Sequence, residues 1–260
     1  DKAADGSSVK LIDAGDPAQD LEQRQLTYGA SFQVEVANLG NTALQSVDVV
    51  NSLASTFPTL AASADDRLQV VEGSISVEKV TASDDAPSGF AMKSKASSPL
   101  RRKSEVLDAA NPNFDGLTDL QLVDPTKINL QIGESIRVRY GLEIKVDYAD
   151  KGGLQELQRQ NFETQIVANG TDPDSGRTIS DLSQDVSDVA LEELGFDDVL
   201  NRIDVDGDFD PNEPGENNPT PVLFPTAIQG YLCLDANADG ICTEADQPLK
   251  AWTVRVLQLS

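Results

Sequence analysis

Near the carboxyl end, the segment "DANADGICTEAD" (residues 235–246) places Asp235, Asn237, Asp239, Gly240 and Asp246 at positions 1, 3, 5, 6 and 12 of a twelve-residue loop. That is the spacing by which alternating oxygen donors on a tight turn converge on one Ca2+ ion. Asp235, Asn237 and Asp239 offer side-chain oxygens, Ile241 its carbonyl, Thr243 a hydroxyl or a bridging water, and Asp246 the closing carboxylate. Gly240 permits the sharp bend. Asp at position 12 reaches less far than Glu, so bidentate closure is less secure. The expected affinity falls in the weak range of extracellular structural sites, about 10⁻⁴–10⁻³ M. The flanking segments "GYLCL" and "WTVRV" read as strands rather than helices, which places the loop in a β-module.

A second acidic run contains Asp204, Asp206, Asp208, Asp210, Glu213 and Glu216. Its glycine, Gly207, stands at position 4 and no acid falls at position 12, so it is not the same loop. Four aspartates at alternating positions repel one another unless cations or solvent intervene. Two readings stay open: a calcium site that stiffens the joint between modules, or a solvated acidic linker. The only cysteines, Cys233 and Cys242, lie nine residues apart around the start of the first loop. A close pair of this kind points to a local disulfide in an oxidising compartment. A zinc site needs more ligands than the pair supplies, and the chain has no histidine.

Composition narrows the function classes. With 44 acidic and 20 basic residues the net charge is −24. This repels nucleic acid and anionic membranes and attracts divalent cations, though acidity serves solubility equally well. No apolar stretch approaches the roughly 18–20 residues that span a bilayer. The chain opens "DKAADGSS" without an initiating Met, which reads as a processed or excised piece of something longer. Absence of histidine removes His-based triads, and aromatics are 5% of residues, too few for a typical aromatic-lined sugar cleft. No catalytic residues are assigned, and the chain is not expected to be an enzyme. Trp252 alternates with Val254 and Val256, a core-strand pattern rather than a sugar platform. The stretch 92–103, "MKSKASSPLRRK", gathers five basic residues and no acid. It reads as a solvated insertion or as a docking patch for an acidic partner.

The elements that must carry these groups are mostly strands. In "SIRVRYGLEIKVDY" (135–148), Ile136, Val138, Tyr140, Leu142, Ile144, Val146 and Tyr148 share one face, while Arg137, Arg139, Glu143, Lys145 and Asp147 share the other. Such alternation predicts a long antiparallel strand with one wet face. "SFQVEVANLGN" (31–41) repeats the scheme with Phe32, Val34 and Val36 inward, ending at a Gly-Asn turn. "VKLID", "SVDVV", "RLQVV", "SISVEKV", "KINLQI" and "FETQIVA" are shorter strand candidates. About eight strands separated by turn residues predict an all-β antiparallel sandwich. Segment 188–203 carries the spacing of a short amphipathic helix, and 153–160 reads either as another helix or as an extension of the following strand. Residues 172–220 hold 15 acids against two basic residues and read as a connector. The expected division is a sandwich over 1–187 with an insertion loop about 82–110, a short helix and acidic Pro-rich calcium linker over 188–221, and a partial β-module over 222–260.

From "VEVANLGNTALQSVDVVNSLASTFP" onward the chain resembles the immunoglobulin-like conserved repeat domain of large bacterial surface proteins, a domain of unknown function. "NPNFDG" (111–116), "IGES", "TQIVANGT" (164–171) and "DVDGDFDPNEPGENNPTPV" follow in the order that family shows, over about 8–222. The final "GYLCLDANADGICTEADQPLKAWTVRVL" is similar to the start of a B-type calcium-binding repeat of serine-aspartate-rich adhesins. The resemblance implies an extracellular structural or adhesive module of a bacterial cell-surface protein, rigidified by Ca2+. Its implied partners are neighbouring modules or subunits of the same protein. An alternative is a surface domain that binds a glycan or a host protein. The tail has too few strands to close a sheet alone. Either its module continues, or its strands complete a neighbouring subunit in a filament or surface layer.

Overall fold

A computed structural model describes residues 2–13, 25–62, 67–82, 102–147, 162–185, 217–224, 233–234 and 247–248. Contacts divide the chain into two compact units, Asp1–Pro225 and Thr226–Ser260.

The first unit is all-β. Its strands are β1 (Lys2–Asp13), β2 (Gln25–Ala37), β3 (Gln45–Val50), β4 (Leu68–Val70), β5 (Ser76–Ala82), β6 (Arg102–Leu107), β7 (Ser135–Asp147), β8 (Phe162–Thr164), β9 (Val167–Thr171), β10 (Thr178–Asp185) and β11 (Thr220–Val222). Two single-turn helices, α1 (Leu53–Thr56) and α2 (Pro58–Ala61), follow β3. Ser52 caps α1 by accepting from the Ser55 amide at 3.2 Å, and Pro58 starts α2, where its missing N–H costs nothing.

Among the described residues, nine strands form one sheet in the order β3-β9-β10-β1-β2-β7-β5-β6, with β4 also paired to β7. β1 runs parallel to β10 through Ala3↔Ser183, Ala4↔Gln184 and Asp5↔Asp185; the other neighbours are antiparallel. The hydrophobic cluster draws on both halves of this order. Tyr28, Phe32, Val34, Ile136, Val138, Leu142 and Ile144 come from β2 and β7, while Val47, Val49 and Ala168 come from β3 and β9. The sheet therefore folds over at the parallel β1–β10 seam and encloses one core between two layers. With β1, β2, β7 and β5 in one layer and β3, β9 and β10 in the other, this is the immunoglobulin sandwich topology.

The alternation read from sequence sets the central ladder. β2 and β7 pair without a break from Gln25↔Asp147 to Ala37↔Ser135, and every core-facing residue from Ile136 to Val146 is buried. Each such side chain contributes roughly 1.5–3 kcal/mol of burial. Phe32 stacks on Tyr140 at 5.0 Å, and Phe114 meets Tyr140 edge-on at 5.5 Å. Tyr148 and the helical segments 153–160 and 188–203 lie outside the described residues.

Several elements depart from expectation. "KINLQI" is not a strand: Pro125–Lys127 is a 3-10 turn, and the segment lies along β3 through the bridge Leu44↔Leu130 and the bond from the Val47 amide to the Ile128 carbonyl at 3.1 Å. "FETQIVA" splits in two. β8 pairs with β11, β9 pairs with β3 and β10, and Ile166 between them is fully buried, its amide donating to Ser183 Oγ at 2.9 Å. β6 lies within the stretch expected to be an insertion loop, and β10 lies inside the expected sandwich limit of 187 but within the acid-rich stretch 172–220. The core-facing positions of β10 include Asp181 and Ser183, both buried, while Leu182 faces outward, so its hydrophobic pattern is inverted. β11 and Phe224 also belong to this unit, past the expected boundary at 221/222. Val222 is 2% exposed, and the Phe224 ring packs on Tyr28, Phe57 and Phe162 at 5.1, 6.3 and 5.6 Å.

Candidate metal-binding hairpin and the polar sites of the sandwich

In the second unit, β12 (Cys233–Leu234) pairs antiparallel with β13 (Gln247–Pro248), in the register Cys233↔Pro248 and Leu234↔Gln247. The connection between these strands is residues 235–246, the twelve-residue segment singled out by its oxygen donors. The ladder brings the two ends of that segment together, as strands rather than the helices that flank an EF-hand loop. The donors themselves (Asp235, Asn237, Asp239, Ile241, Thr243 and Asp246), Gly240 and Cys242 lie outside the described residues. So do Asp204, Asp206, Asp208, Asp210, Glu213 and Glu216, and Trp252. Carboxylate, amide and hydroxyl oxygens suit a hard cation such as Ca2+. Among the described residues, no three His, Cys, Asp or Glu side chains cluster to hold a metal. No described helix is long and apolar enough to cross a membrane.

The sandwich contains three polar constructions that sequence periodicity does not announce. In the first, Arg137 Nη2 donates to Glu35 Oε2 at 2.9 Å and Ser135 Oγ donates to Glu35 Oε1 at 2.9 Å. Glu35 is 1% exposed and Arg137 6%, on the face read as wet. In the second, Asn51 Nδ2 donates to the Tyr140 hydroxyl and to Thr164 Oγ1 at 3.3 Å, and Thr56 Oγ1 donates to Thr164 Oγ1 at 3.3 Å. All four residues are buried, so their mutual bonds replace the water they lose.

The third is the loop "NPNFDGLTDL". Asp115 Oδ1 accepts from the amides of Leu117, Thr118 and Asp119 at 2.8, 2.7 and 2.9 Å, and Oδ2 accepts from Thr118 Oγ1 at 2.5 Å. Burial alone raises the Asp115 pKa, but the bonds from Thr118, Leu117 and Asp119 outweigh it and hold the carboxyl at about 2. Asp48 goes the other way: burial raises its pKa against the bonds from Gln121 and Val49. Beside this loop lies a cleft of about 320 Å³ lined by Asn111, Asp119, Gln121, Asp124 and Lys127, among others. Asn111 Nδ2 already donates to Asp119 Oδ2 at 3.1 Å and to the Gln121 carbonyl at 2.7 Å, and Lys127 Nζ sits 3.7 Å from Asp124 Oδ2. These groups hold the loop's own shape. Of the basic stretch 92–103, only Arg102 and Lys103 are described, and both are in β6.

No family model matches the chain, and no curated protein matches it. Among solved structures, it is similar to the full-length major pilin SpaD from Corynebacterium diphtheriae, at 13% identity and a TM-score of 0.30. That match covers 70% of this chain and 33% of the pilin. It is also similar to domains D2 and D3 of the same pilin, at 14% identity and a TM-score of 0.29, covering 69% of this chain and 50% of that one. The chain thus spans half or less of the length of these two structures.

Proposed function

We propose that the chain is an extracellular structural module of a bacterial cell-surface protein, an immunoglobulin-like sandwich followed by a β-hairpin that Ca2+ stiffens. The observation that carries this reading is the ladder of Cys233 and Leu234 with Gln247 and Pro248, which closes on the twelve residues that hold the oxygen donors. A connection clamped at its base pays less ordering entropy when an ion gathers its side chains. A Cys233–Cys242 disulfide would restrict the same connection further. The net charge of −24 favours cation uptake and keeps the surface in water. Partners on this reading are adjoining modules or subunits, and the acidic run 204–216 would be a second, calcium-sensitive joint.

The test is a calcium titration of the full chain, read by calorimetry and by thermal unfolding. A site with a Kd of about 1 mM gains about 1.4 kcal/mol at ~10 mM ion. The transition of the second unit should rise accordingly and return with EDTA. Asp235→Ala combined with Asp239→Ala should abolish the rise and leave the sandwich transition in place. A melting profile indifferent to both calcium and EDTA overturns the metal reading.

A further inference from the structure

The two ends of the nine-stranded sheet are finished differently. At the β3 end, the segment 120–130 covers the edge: the Leu122 amide donates to the Val49 carbonyl at 2.8 Å, and Leu44 and Leu130 exchange bonds at 2.8 and 2.9 Å. At the other end, β6 pairs with β5 in an unbroken six-residue register from Val77↔Leu107 to Ala82↔Arg102, and with no other described strand. It contains neither proline nor a bulge, and Val106 is 76% exposed. A regular edge that no other described strand pairs with is a template for a further strand.

The charges along β6 say which strand fits. Lys103 and Glu105 are exposed and share one face of the strand. Their neighbours on β5 do not neutralise them. Thr81 lies opposite Lys103, and Lys79, opposite Glu105, gives its ammonium to Glu134 Oε2 at 2.6 Å. Neither Lys103 nor Glu105 has an ion-pair partner among the described residues. Laid antiparallel against a second β6 and centred on Ser104, Lys103 of each copy falls opposite Glu105 of the other. The edge is complementary to itself.

We propose that the β6 edge is a homotypic interface, at which two copies of this chain join their sheets about a two-fold axis through Ser104. Direct cross-strand ion pairs, made twice by symmetry, set the register. The overall charge of −24 opposes association at long range, but it is screened beyond about 8 Å at 0.15 M salt. The proposed contact uses residues of the first unit alone.

Sedimentation equilibrium of the full chain at 0.15 M salt tests it. The average mass should climb with concentration from 27.8 kDa toward twice that value, equally in calcium and in EDTA. Lys103→Glu or Glu105→Lys alone sets like charges against each other twice and should weaken the dimer about tenfold. The combined exchange, Lys103→Glu with Glu105→Lys, restores opposite charges and should restore the dimer. Unchanged thermal melts confirm that these exposed variants fold. Four outcomes each overturn the proposal: a chain monomeric at every concentration, a dimer indifferent to the single reversals, an exchange no better than the singles, or a dimer lost in EDTA.

Discussion

Glu35 and Arg137 stand directly opposite each other in the β2–β7 ladder and form an ion pair at 2.9 Å with almost no access to solvent. Low dielectric strengthens the attraction, but both groups have given up their hydration. Arg137→Met should therefore cost about 3–5 kcal/mol, because it removes the counter-charge from a buried carboxylate. Replacing both residues, Glu35→Leu with Arg137→Met, should recover most of that loss. Urea unfolding of the three chains measures both steps. A single substitution costing under about 1 kcal/mol would mean that water reaches Glu35 freely.

Gly116 and Gly133 both have left-handed backbone, with φ of +69° and +79°, but only one of them is crowded. A Cβ at Gly116 would lie 2.3 Å from Leu53 Cγ, whereas one at Gly133 meets nothing within 4 Å. Both Gly→Ala changes incur the left-handed strain of about 1–2 kcal/mol. Gly116→Ala should add about 1–3 kcal/mol of overpacking against buried Leu53. Equal urea midpoints for the two variants would show that Leu53 moves aside without cost.

The same contrast between pattern and packing explains what was legible in the sequence. Strict alternation at Phe32, Val34 and Val36 and at Ile136 through Val146 identified β2 and β7, because both faces obeyed a period of two and the buried face was apolar. β10 escaped notice because Asp181 and Ser183 take its inward positions. β6 escaped because, as an edge strand with exposed charges, it has no buried face to write into the pattern. The segment 127–132 has the composition of a strand, yet its bonds to β3 are too sparse to form a ladder. Of the flanks read as strands around 235–246, "GYLCL" contains β12, whereas the partner strand is Gln247–Pro248 and "WTVRV" lies outside the described residues. The Glu35–Arg137 pair was not legible. A charged residue on the outward face of a strand looks the same in sequence whether or not it is covered.

Asp115 makes a prediction about acid. Its folded pKa of about 2 lies below the ordinary 3.8, so the folded state prefers the carboxylate. The resulting stabilisation is fully present above pH 4 or so and is lost as pH falls toward 2. Asp124 and Asp172 are shifted the same way, chiefly by hydrogen bonds from Thr126 and Ser175, so their loops in the sandwich should weaken over this acid range too. Asp115→Asn isolates one share of that loss. The amide oxygen can still accept from the loop, but the charge that strengthens those bonds is gone. The variant should be less stable than the parent at pH 7, and the two should converge as pH falls to about 2. Urea midpoints at pH 7, 4, 3 and 2 measure this directly. A gap that stayed constant across the series would assign the loop's order to its shape alone and remove the carboxylate charge from the account.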